Sequence, residues 1–103
     1  MRRIFTFFLT FLLGVFVTAL YAQTHTVSGT VIDKDANEPL IGANVLIKGT
    51  TIGTVTDLDG KYTLQAGDKD ILVFSYLSMK TIEEPVNGRT VINVKMTSDT
   101  ETP

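Results

Sequence analysis

From Val27 to Met96 the chain alternates apolar and polar side chains residue by residue, in short runs broken by turn-forming residues. A period of two puts successive side chains on opposite faces of an extended strand, and no window after Gln23 carries the 3.6-residue period of a helix. Val27, Gly29 and Val31 alternate with Thr26, Ser28 and Thr30. Ala43, Val45 and Ile47 face one way, with Asn44 and Lys48 opposed. Tyr62 and Leu64 face inward against Lys61, Thr63 and Gln65, and Ile92, Val94 and Met96 against Asn93 and Lys95. Ile71 to Leu77 is the most continuously apolar run, and reads as a central strand covered on both faces. 

The punctuation between runs is equally informative. Asp33 to Pro39, with its charges, Asn37 and proline, reads as a loop, and Gly49-Thr50-Thr51 turns the chain. Asp57-Leu58-Asp59-Gly60 and Asn87-Gly88 each predict a hairpin, because Asp-Gly and Asn-Gly tolerate the positive φ of tight turns. Pro39 and Gly42 join these as turn positions. Pro85 cannot donate to a ladder, so its strand belongs at an edge. About seven short strands predict an all-β, Greek-key sandwich of two sheets over residues 23–97, with a loose polar tail at 98–103.

Residues 1–22 are of another kind. They hold five of the six phenylalanines, Arg2-Arg3 and no acid. A positive start, the apolar stretch Ile4 to Leu20 and the small Ala22 read as a secretory signal cut after Ala22. The competing reading is a retained anchor, but the 17-residue stretch falls short of the roughly 20 that span a bilayer. No cysteine follows for lipid attachment, and none occurs anywhere, so an exported domain of this composition is held by burial alone. Without Arg2 and Arg3, seven basic residues stand against eleven acidic ones, a net charge of −4. The basic residues are scattered singly, which argues against nucleic acid or an anionic membrane as partner.

Candidate chemistry is sparse. A nucleophilic triad needs a base beside its nucleophile, and the sole histidine, His25, reads as a solvated strand-entry residue. One histidine and no cysteine do not assemble the usual zinc ligands. Glu83 and Glu84 are neighbours on a strand, so they point to opposite faces and cannot flank one bond. Asp57 and Asp59 before Gly60 faintly resemble the start of a calcium loop, yet the later ligands and closing glutamate are missing. The glycines lie between strands rather than at a helix N-terminus, so they cradle no phosphate. A sugar platform wants exposed rings, but Tyr62, Phe74 and Tyr76 fall largely in the core by their pattern. The expectation is no catalytic residue, no cofactor and no direct small-molecule substrate.

Three stretches together are distinctive: Val27-Ser-Gly-Thr-Val-Ile-Asp33, Glu38-Pro-Leu-Ile-Gly-Ala-Asn-Val45, and Lys48-Gly-Thr-Thr-Ile-Gly-Thr-Val-Thr-Asp-Leu-Asp-Gly-Lys-Tyr62. They resemble the carboxypeptidase-D regulatory-like domain, and more narrowly its version at the N-terminus of SusC/RagA-type TonB-dependent outer-membrane receptors of Bacteroidetes. The likeness continues through Leu72-Val-Phe-Ser-Tyr76 and Val86-Asn-Gly-Arg89 to Val94. It implies a transthyretin-like seven-stranded sandwich and a non-catalytic module, usually joined to a plug and barrel. Its motif residues serve the fold, so it carries over no ligand-binding residue. One departure is local: Tyr76-Leu77-Ser78-Met79 stands where such domains often read Tyr-x-Gly-aromatic. Another is that the sequence ends at Pro103 without plug or barrel, as a truncated receptor or a stand-alone domain would.

The function expected is that of an accessory domain in an outer-membrane nutrient-uptake system, at the periplasm or outer membrane. Its partner there would be a protein, either a receptor plug and barrel or a TonB-type energiser. The alternatives are a free-standing exported module binding a glycan or surface protein, and a regulatory domain split from a metallopeptidase. An edge strand, either the Pro85-containing one or the N-terminal one, is the expected docking surface.

Overall fold

The computed structural model describes residues 24–99. The signal-segment reading and the tail beyond Asp99 lie outside the described residues. Eight strands are present among them, rather than seven: β1 (Thr24–Asp33), β2 (Glu38–Pro39), β3 (Asn44–Ile47), β4 (Gly53–Val55), β5 (Lys61–Gly67), β6 (Ile71–Ser75), β7 (Ile82–Pro85) and β8 (Val94–Met96). They form two four-stranded sheets, one centred on β1 and the other in the order β4-β3-β6-β7.

β1 organises the first sheet because it is long enough to serve three neighbours. It pairs antiparallel with β5 from Thr24 to Thr30, antiparallel with β2 at Ile32 and Asp33, and parallel with β8 from Val31 to Asp33. The N-terminal strand is therefore interior to its sheet, not an edge. Glu38-Pro39, expected within a loop, adds the short β2 against Ile32 and Asp33.

The alternating pattern turns into burial as the period requires. Val27, Val31, Tyr62, Leu64, Val45, Phe74, Ile92, Val94 and Met96 are all buried. The sheets meet through an edge-to-face contact between Tyr62 of β5 and Phe74 of β6, with centroids 5.5 Å apart and planes at 74°. β6 is central, between β3 and β7, but it is covered on one face only. Leu72 and Phe74 are buried, Ile71 and Val73 are half-buried, and Leu77 is exposed. The second sheet has no further layer over its outer face among the described residues, which is why the apolar run is only half used.

Gly29 marks the tightest point. A Cβ there would lie 1.9 Å from the Ile92 carbonyl oxygen. Tyr62, directly across the ladder, covers the vacant position and donates its hydroxyl to that same carbonyl at 2.7 Å. Glycine on one strand and an aromatic on the next thus make room for the chain to cross back along β1.

Both turns expected to close hairpins are corners instead. Asp57–Gly60 closes locally, with Gly60 N–H donating to the Asp57 carbonyl at 3.0 Å. It joins β4 in the second sheet to β5 in the first. Val86–Arg89 has positive φ at Asn87 (48°) and Gly88 (74°), the type I′ pattern, with Arg89 N–H bonded to the Val86 carbonyl. It carries the chain from β7 back to the first sheet, where Ile92 and then β8 run parallel to β1. Turn chemistry is local, and which strand the chain then joins is settled by where the apolar face finds cover. The start of the tail, expected to be loose, stays paired: Asp99 N–H bonds the Ser78 carbonyl, next to the bond from Lys80 N–H to the Thr97 carbonyl.

Candidate interaction surface

Most polar side chains that could have formed a site are engaged by the fold itself. Asp57 Oδ1 accepts from the amides of Asp59 and Lys61, both at 2.9 Å. Gly60 sits at φ 73°, where an added Cβ would lie 2.7 Å from the Val31 carbonyl oxygen and 2.8 Å from Pro39 Cβ. Asp57, Asp59, Gly60 and Pro39 thus form one packed corner. Gly42, at φ 77°, donates its amide to the Thr56 carbonyl. Thr56 itself is buried; its hydroxyl donates to the Leu40 carbonyl and accepts from the Ala43 amide at 2.9 Å, tying the loop to the end of β4.

His25 is placed differently from the solvated entry residue expected. It lies within β1, its Nε2 is 2.9 Å from the Arg89 carbonyl, and its Nδ1 is 3.3 Å from an Asp68 carboxylate oxygen. The Asn87 amide bonds the Asp68 carbonyl, so Asn87-Gly88, Asp68 and His25 form a polar latch where the two sheets meet. Nothing in the spacing of these residues foretold it, because His25 meets Asp68 and Arg89 from more than forty positions away. Among the described residues no three His, Asp or Glu side chains gather to hold a metal ion. Burial pushes the Tyr62 phenol up to about 12. That shift has a structural cause, since Tyr62 is packed under β1 and spends its proton on Ile92.

What remains available is backbone at the sheet edges: β7 and β4 end the second sheet, and β5, with Thr63 and Gln65 turned outward, ends the first. Along β7 the groups of Ile82 and Glu84 turn inward to β6, as the bond from Val86 N–H to the Asp70 carbonyl sets the phase. Glu83 and Pro85 therefore turn outward. Pro85 has no N–H, and its carbonyl is capped by Arg89 Nη2, which also contacts Glu84 Oε1 at 3.1 Å. Glu83 is tied to Lys48 Nζ at 2.9 Å. This edge is closed, so the Pro85 strand lies at an edge as expected but offers little to a docking strand.

β4 is open. The bonds from Ile47 N–H to the Ile52 carbonyl and from Thr56 N–H to the Ala43 carbonyl set its phase, turning Thr54 toward β3 and Gly53 and Val55 outward. Among the described residues no proline, charge or side-chain cap covers those groups. Val55 and Ile52 are 56% and 57% exposed, and Leu46 lies alongside at 38%. A shallow depression of about 340 Å³ runs there, lined by Asn44, Leu46, Thr51, Gly53, Thr54 and Val55. The neighbouring edge, β5, is flanked by exposed Lys61, Thr63 and Gln65. The sequence reads as an extended run from Gly53 to Thr56, in agreement with β4, but does not single it out as a docking edge, because it is short and lacks the proline that drew notice to β7.

The described residues thus form a two-sheet all-β domain in which several polar side chains are spent on corners and a latch, and in which exposed apolar side chains border an unpaired strand. Comparison with known proteins makes this specific. Residues 27–102 match the family model of the CarboxypepD_reg-like domain, and the chain belongs to that family. It is 45% identical over 89 residues to the TonB-dependent receptor SusC of Bacteroides thetaiotaomicron, covering 85% of this chain and 9% of the receptor. It is 44% identical over 82 residues to the TonB-dependent receptor P26 of Formosa agariphila (80% and 8%), and 42% identical over 85 residues to receptor P39 of the same organism (81% and 8%). The chain thus spans less than a tenth of the length of these relatives.

Proposed function

We propose that this chain is a non-catalytic protein-interaction domain of a TonB-dependent nutrient-uptake system, exported by a signal cut after Ala22 and acting at the periplasmic side of the outer membrane. The observation that carries the reading is the near-complete family match, joined to identity above 40% with TonB-dependent receptors. The engagement of Asp57, His25 and Tyr62 within the fold supports a role without catalysis. Its partner is a protein of the uptake machinery, either a receptor's plug and barrel or the energising protein.

The test is fractionation and affinity isolation of the tagged chain from a bacterium expressing a TonB-dependent receptor system. The expected result is a mature chain beginning at Gln23, found in the envelope and isolated together with receptor or energiser. A chain that stays in the cytoplasm, or that binds a glycan array while ignoring every receptor component, would replace this reading with that of an unrelated or free-standing binding module.

A further inference from the structure

The open edge of β4 is chemically matched to itself. Gly53 and Val55 each turn an N–H and a C=O outward, with Thr54 between them turned inward. We propose that two copies of this chain pair antiparallel along β4 about a two-fold axis at Thr54, joining their second sheets into one continuous eight-stranded sheet. In that register Gly53 of each copy faces Val55 of the other as a hydrogen-bonded pair, and both outward donors and both acceptors are satisfied.

Side chains agree with the register. Opposed residues share a face, so the Val55 isopropyl group of one copy lies over the bare Gly53 of the other, beside Leu46. The glycine is required independently, since a Cβ there would sit 2.5 Å from the Val45 carbonyl oxygen. The two Thr54 side chains meet on the opposite face, a favoured cross-strand pair. Charge does not oppose the register: no charged residue lies between Lys48 and Asp57, and antiparallel order sets the acidic corner of Asp57 and Asp59 against the other copy's uncharged β3–β4 turn, whose flanking Lys48 is paired with Glu83. β7 cannot pair in this way, lacking the Pro85 amide and with the Pro85 carbonyl held by Arg89. Three residues per strand bury less than the roughly 1,000 Å² of a stable dimer, so the association is weak and depends on concentration.

The absence of cysteine makes the test direct. Opposed residues of a non-hydrogen-bonded pair lie about 4.5 Å apart at Cα, within disulfide reach. The purified full chain carrying Thr54→Cys, oxidised over a concentration series, is expected to form a disulfide dimer at least about tenfold faster than Glu83→Cys on β7. Adding Val55→Lys, at an exposed position that leaves the melting temperature unchanged, is expected to cut that rate about tenfold. Sedimentation of the cysteine-free chain against Val55→Lys alone gives a second reading, in which self-association weakens. Equal rates for the two cysteines, a dimer indifferent to Val55→Lys, or a chain that remains monomeric and leaves β4 to a strand of some other protein would each overturn the proposal.

Discussion

β7 and β4 end the same sheet, and their outward backbone groups meet opposite treatments. At β7 an imide nitrogen, a guanidinium cap and two glutamates close the edge. At β4 a glycine, a threonine and a valine leave it bare. Sheets that avoid association protect both edges, so a fold that invests several side chains in one and none in the other separates a boundary from a surface kept for contact. The difference also locates stability. β7 is fixed along its length by β6 and by the Arg89 turn, whereas β4 is short and depends on what anchors its end.

That dependence gives the largest expected effect. Thr56→Val keeps the shape but orphans the buried Leu40 carbonyl and Ala43 amide, each at about 1–3 kcal/mol. Chemical denaturation is expected to show a loss of about 2–4 kcal/mol, and hydrogen exchange to show β4 opening before β7. Loss of both strands together would blur the contrast.

Tyr62 lies under neither edge and serves as the reference. Its phenol keeps its proton up to about 12 in the folded chain, while the unfolded chain releases it near 10. Between those values the unfolded state holds fewer protons, so stability falls as pH rises, by at most about 1.4 kcal/mol per unit and roughly 2–3 kcal/mol by pH 12. Below pH 10 this contribution is constant. Tyr62→Phe is expected to abolish the alkaline slope, at a fixed cost of about 1–2 kcal/mol for the unpaired Ile92 carbonyl. A slope that survives in the variant would assign the alkaline loss to another group.

How far these features could be foreseen varies with the range of their causes. Burial along β1, β3, β5 and β8 follows from period two, and the positive φ of Gly60, Asn87 and Gly88 follows from Asp-Gly and Asn-Gly. The corners did not follow, because the same turn residues serve a hairpin or a change of sheet. The latch of His25 with Arg89 and Asp68 and the capping of Pro85 by Arg89 depend on which segments meet. Ser78 is intermediate. Its departure from the glycine common in such domains is visible in the sequence, and its φ of 64° gives the departure a structural meaning.

Ser78→Gly, in the corner leading to β7, is accordingly expected to stabilise the chain by about 0.5–1 kcal/mol, by relieving a left-handed serine. A lower melting temperature would show that the serine side chain earns its place. The smallest thermodynamic effect belongs to Pro85→Thr, within about 0.5 kcal/mol. It restores an outward amide to β7 and is expected to raise concentration-dependent association, read by light scattering. No change in association would mean that Arg89 alone closes that edge.

The contrast between the edges is tested most directly by residue-resolved amide hydrogen exchange on the chain at low and high concentration. The Gly53 and Val55 amides are expected to exchange freely in dilute solution and to gain protection as concentration rises, while the Glu83 amide on β7 stays unchanged. Protection that grows at Glu83, or at neither edge, would contradict the assignment of β4 as the contact surface.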